Sequence, residues 1–109
     1  MNIEELMDLL NQKNFEEEEQ DTGMEYTYKK NNIELICYIE PQVEVQFISF
    51  YRWDNNEVKG TYNISIDELK FTKDSVISFF KRTKNNLPVQ IGDSINVHSE
   101  VDKAIEEIF

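Results

Sequence analysis

The spacing of apolar positions changes its period twice along the chain. From Asn2 to about Lys13, Ile3, Leu6, Met7 and Leu10 recur at three- and four-residue intervals with Leu9 at the stripe's edge, which predicts an amphipathic helix. Asn2 stands where an N-cap belongs. Glu5, three positions on, completes a box-like pattern, and Glu4 and Glu5 suit the positive end of the helix. Phe15 follows, and then Glu16-Glu17-Glu18-Glu19-Gln20-Asp21 sets five acids in six positions. Repulsion within this run predicts a solvated loop, a sheet edge or a frayed helical extension, ended at Thr22-Gly23.

From Met24 to Ile66 the period is two. Met24, Tyr26 and Tyr28 alternate with Glu25 and Thr27, and Lys29-Lys30-Asn31-Asn32 reads as a hairpin turn. Ile33–Ile39 is a second strand, ended by Pro41. Val43–Trp53 is a third, with Val43, Val45, Phe47 and Tyr51 on one side and Ile48 and Phe50 on the other. Asp54-Asn55-Asn56 turns into a fourth, Val58–Ile66. Consecutive strands joined by short turns form an antiparallel meander.

The helical period returns at Thr72, an N-cap with Asp74 in the first turn. This helix runs to about Lys84 on an apolar stripe of Val76, Ile77, Phe79 and Phe80. Lys81, Arg82 and Lys84 suit its negative end, and Leu87-Pro88 stops it. Val89–Val97 reads either as a short strand pair around Gly92-Asp93 or as a packed loop. Ser99 caps a last helix, with Asp102 in a capping-box-like position and Val101, Ala104, Ile105, Ile108 and Phe109 facing inward. The expected fold is α+β within a single acidic domain, 1–109: a four-stranded antiparallel meander with one N-terminal and two C-terminal helices, α-ββββ-α-(β)-α. Strands two and three are apolar on both sides. The three helices are therefore expected to wrap both faces of the sheet, the alternative being an interface on the second face.

Charge sharpens this picture. Acids number 22 and bases 11, a net of −11. Residues 1–25 hold nine acids against Lys13 alone, which leaves −8 there and −3 in the remaining 84 residues. Such a field opposes direct nucleic-acid binding, which draws on Lys and Arg neutralising phosphates, and favours a basic protein partner. A start of Met1-Asn2-Ile3-Glu4-Glu5 is acidic where a secretory leader would be basic, and no apolar run approaches the ~18 residues a membrane span requires. Cys37 is the one cysteine. A cytoplasmic protein without a disulfide is expected.

Catalytic material is sparse. Cys37 sits mid-strand among apolar neighbours, as an inert thiol does, and His98 is the one histidine. Zinc spacing, phosphate loops, nucleophile elbows and calcium loops are missing from the sequence, and a run of like charges supplies density without a shaped coordination sphere. No catalytic residue, metal or cofactor is expected. The candidate partner-binding residues are Glu16, Glu17, Glu18, Glu19, Asp21 and Glu25. Trp53 joins them as an aromatic anchor beside a turn, the pick of a group that includes Tyr26, Tyr28, Tyr51 and Tyr62. The competing readings are a solubilising run and ordinary strand packing.

The opening Met1-Asn2-Ile3-Glu4-Glu5-Leu6, followed by a short helix and Lys13-Asn14-Phe15, resembles the start of small phage-encoded anti-CRISPR proteins that inhibit Cas9 in low-GC Gram-positive bacteria. Those proteins are also about this size, acidic and α+β. The resemblance ends at Phe15 and carries no residue roles. It implies a DNA-mimicking inhibitor that occupies the basic groove of a nuclease such as Cas9; a monomer or homodimer in the bacterial host's cytoplasm is expected. Anti-restriction proteins and immunity or antitoxin-type proteins share this acidity and size, and a self-associating structural module is a further reading.

Overall fold

The computed structural model describes residues 1–66, 70 and 72–109. Asn2 caps α1 (Ile3–Gln12), its side-chain oxygen accepting the Glu5 N–H at 2.8 Å. The helix stops at Asn14, which takes a φ of 67°. The Phe15 N–H then reaches back to the Leu10 carbonyl at 3.0 Å and the Asn14 N–H to that of Asn11 at 3.1 Å. This is the Schellman closure, in which asparagine tolerates the left-handed region and the following apolar side chain folds onto the helix. Phe15 is thereby buried, and the chain leaves in extended form.

Where four strands are expected there are five, in the order β1-β2-β3-β4-β5 and all antiparallel. They are β1 (Glu16–Glu19), β2 (Met24–Lys30), β3 (Ile33–Glu40), β4 (Glu44–Trp53) and β5 (Asn56–Ser65). The additional strand is the acidic run itself, so the edge reading of that run is the one realised. Glutamate has a poor intrinsic strand preference, but the free edge of β2 offers backbone partners that outweigh it. Glu16 pairs with Thr27 and Glu19 with Met24. Gly23 turns β1 into β2, where a Cβ would stand 2.1 Å from the Ile39 carbonyl oxygen. The other turns place Asn31, Gln42 and Asp54 at positive φ.

The second helix is shorter than expected. α2 (Lys73–Arg82) gives way to a 3-10 turn, Thr83–Asn86, which packs on β4 and β5. The cause is a buried polar latch. The Thr83 hydroxyl donates to the Phe80 carbonyl at 2.6 Å and accepts from Ser49 at 2.5 Å. Opposite, Gly60 leaves room for the Thr83 carbonyl oxygen, which would lie 2.0 Å from any Cβ there. The Asn86 side chain also accepts the Thr61 N–H, at 3.2 Å.

Gln90–Ile91 (β6) and Ile95–Asn96 (β7) form the short strand pair, turning at Gly92 with φ 63°. α3 (Val97–Ile108) begins earlier than expected, because Asn96 rather than Ser99 is the cap and accepts the Ser99 N–H at 2.9 Å. Asp102 consequently lies inside the helix, where it meets Lys84 at 2.5 Å.

The expectation that helices wrap both faces is overturned. The buried side chains of α1, α2 and α3 join Tyr26, Leu35, Cys37, Val45, Phe47 and Tyr51 in one apolar cluster on one side of the sheet. Phe80 sits at its centre, with the rings of Phe47, Phe15 and Phe109 at 4.9, 5.8 and 5.8 Å. Among the described residues, no helix covers the opposite face. Its apolar residues Ile36, Tyr38, Ile48 and Phe50 are half-buried and stand outside that cluster.

Candidate functional site

The all-glutamate strand β1 forms one edge of the sheet, and all four of its side chains are exposed. Strand geometry directs Glu16 and Glu18 to the open face and Glu17 and Glu19 to the helix side. Glu17 accepts a hydrogen bond from the Tyr26 hydroxyl. Burial, with that hydrogen bond and the neighbouring carboxylates, pushes the Tyr26 phenol well above its ordinary range, so it remains a neutral donor.

Register builds a larger acidic surface than the run alone. Glu18 stands directly across from Glu25, and Glu40 directly across from Glu44, both pairs at the same end of the open face. Like charges opposite one another in a ladder are destabilising. Glu25 is turned toward the Thr27 hydroxyl at 3.3 Å and Glu44 toward the Gln46 amide at 2.7 Å, neither toward a cation. Glu16, Glu18, Glu25, Thr27, Lys29 and Glu34 border a shallow depression on this face. Asp21 is exposed in the β1–β2 bend, close in sequence to the same corner.

The opposite end of the open face has cations. Lys29 and Arg52 flank Glu34 at 3.5 and 3.2 Å, and Arg52 also holds Glu57 at 2.6 Å. Arg52 and Lys59 lie over the Phe50 ring, at 4.8 and 5.8 Å from its centre. Desolvation lowers the Arg52 pKa, but the hydrogen bonds and charges of Glu34 and Glu57 outweigh it and the net shift is upward. Among the described residues, the ion pairs use Glu34, Glu57, Asp102, Glu106 and Glu107, and no carboxylate from residues 1–25.

The sequence-predicted site is therefore brought together in part. Glu16, Glu17, Glu18, Glu19, Asp21 and Glu25 share one edge and corner. Trp53 does not join them: it lies on β4, three strands from β1, half-buried against the apolar cluster with Tyr51 at 6.2 Å. Tyr26 and Tyr51 are buried, Tyr28 packs on Phe15 and Tyr62 stacks on Phe79, so this aromatic group is packing on the helix side. Glu40 and Glu44 are the residues that sequence reasoning missed. Their signal was available, because they flank Pro41-Gln42-Val43 symmetrically and a tight hairpin there sets them opposite each other.

Cys37 is fully buried on the helix side, where burial pushes its thiol far above the usual range. His98 donates its Nε2–H to the Leu87 carbonyl at 2.9 Å and so ties α3 to the preceding loop. Among the described residues, no group of three or more His, Cys, Asp or Glu side chains is arranged to hold a metal ion, and no helix is long and apolar enough to cross a membrane. Comparison with known proteins gave no match to a protein-family model, a curated protein or a solved structure.

Proposed function

We propose that this is a non-enzymatic acidic binding protein that inhibits a nucleic-acid-binding enzyme by filling its basic groove, as a DNA mimic does. One observation supports the reading above the others: none of the carboxylates of residues 1–25 is neutralised by an ion pair among the described residues. A strand that carries glutamate at every position presents one negative charge per ~3.4 Å. A DNA strand presents one phosphate per ~3.4 Å of helix axis. Glu25, Glu40 and Glu44 continue the negative surface inward from that edge. Such a field steers a cationic groove onto the protein and is screened by salt.

Cas9 in a bacterial cytoplasm is the target suggested by the amino-terminal resemblance. An immunity-type protein on a toxic nuclease would work by the same occlusion and differ only in target. The test is competition. Guide-loaded Cas9 is incubated with labelled target duplex and increasing amounts of the protein, and bound duplex is measured at low and physiological salt. The expected result is displacement that weakens as salt rises and is lost when Glu16, Glu17, Glu18 and Glu19 are all replaced by Gln. Full binding of the duplex at every concentration removes Cas9 as the target. Displacement by the four-Gln protein equal to the parent's removes β1 from the interface.

A further inference from the structure

We infer that the helix-free face of the sheet is a docking surface for a second copy of this chain, packed face to face about a two-fold axis. The axis runs across the strands along the row Glu16–Thr27–Ile36–Ile48–Thr61, whose members are partners in register. Turning the sheet over about this row lays Ile36 and Ile48 on their own copies, with Glu16, Thr27 and Thr61 on theirs, and each residue off the row exchanges with the one equally far beyond it. Glu25 and Lys29 lie two residues either side of Thr27 on β2, and Glu44 and Arg52 four residues either side of Ile48 on β4. Glu25 therefore meets Lys29 of the second copy, and Glu44 meets Arg52, so in the dimer these two carboxylates leave the groove-filling surface and the β1 edge carries it. By the same operation Tyr38 meets Glu34. Apart from Glu16, which meets its own copy at the exposed β1 rim, the face is charge-complementary to itself, with its acidic end over the end that holds Lys29 and Arg52 and an apolar centre between them.

The size is adequate. Five strands at ~4.8 Å spacing and about eight residues at ~3.4 Å give a face of roughly 650 Å², close to the ~800 Å² per partner of a standard interface. Sheets pack this way with ~10 Å between them and strands nearly aligned, and self-complementarity is what a two-fold contact demands. Within one chain Lys29 and Arg52 pair with Glu34 and Glu57, and neither pairs with Glu25 or Glu44. Glu44 and Arg52 are on the same strand about 27 Å apart, and Glu25 and Lys29 about 13 Å.

That separation makes the test decisive, because pairing across these positions can only be between chains. Sedimentation velocity is run on the parent, on Glu25→Lys with Glu44→Arg, on Lys29→Glu with Arg52→Glu, and on an equimolar mixture of the two variants. The parent should sediment as a dimer at micromolar concentration. Each variant alone sets like charges against each other across the two-fold axis, and its dissociation constant should rise about tenfold or more. The mixture should restore the dimer, which also shows that both variants are folded. Ile48→Lys should sediment as a monomer with an unchanged circular dichroism spectrum. A monomeric parent overturns the proposal. So does a dimer that survives in each charge variant alone, or a mixture that stays monomeric.

Discussion

Gly60 shows how much of this fold hangs on single atoms. The Thr83 carbonyl oxygen occupies the space a Cβ would need, 2.0 Å away, and that contact seats the 3-10 turn on β4 and β5. Gly60→Ala should therefore cost about 1–3 kcal/mol through overpacking, read as a lower urea midpoint. Cys37 is a second such position. Its thiol is fully buried and its pKa displaced upward by desolvation, so it is protonated at neutral pH and out of reach. A thiol reagent such as dithionitrobenzoate should leave the native protein unlabelled and titrate one thiol once urea unfolds it. Neither constraint could be read from composition. Cys37 was legible as buried from its apolar strand neighbours. Gly60 was not, because the group that needs the space arrives from a turn more than twenty residues later.

The strand β1 carries the tension between stability and use. Its charges guard an open sheet edge against pairing with other chains, a role that alone would justify some of them. It does not account for Glu18 facing Glu25, a contact that costs stability without closing anything. Glu18→Gln should raise stability by about 0.2–1 kcal/mol at low salt, and less at high salt, in urea unfolding. At the other end of the sheet, Lys30 ties β2 to α3 through Glu107. The Lys30 hydrogen bond and charge hold the Glu107 carboxyl below its ordinary value. This contribution is therefore present above the unfolded carboxylate's pKa and is lost as pH falls through the lower folded one. Thermal unfolding of the parent and of Lys30→Met should differ near neutrality and converge in acid. The period of the apolar residues announced α1, β2 to β5, α2 and α3. Three features lay beyond it. β1 is held by backbone partners rather than by side-chain preference. The early end of α2 depends on Ser49 and Thr83, which are distant in sequence. α3 starts after Asn96 and not at the expected Ser99, because both residue types cap a helix and the side chain that accepts the Ser99 N–H is Asn96's.

The assembled protein separates its charges. Among the described residues its ion pairs hold Glu34, Glu57, Asp102, Glu106 and Glu107, and none holds a carboxylate of residues 1–25. If two copies pack through their open faces, the same axis brings the two β1 strands together at Glu16 and sends them in opposite directions along one edge of the dimer, in layers ~10 Å apart. Phe80, at the centre of the apolar cluster, is the position on which this arrangement rests mechanically. Phe80→Ala should cost about 3–5 kcal/mol, enough to lower the melting temperature by well over ten degrees in a domain of this size. What separates a docking surface from a solubilising one is position at constant charge. Three immobilised proteins would be compared for what they retain from a bacterial lysate: the parent, the variant with Gln at Glu16, Glu17, Glu18 and Glu19, and a control that loses the same four charges elsewhere, with Gln at Glu4 and Glu100 and Asn at Asp74 and Asp93. The account predicts that parent and control hold the same basic nucleic-acid-binding protein, released by salt and by duplex DNA, and that the β1 variant does not. Equal retention by all three, or equal loss in both variants, would contradict it.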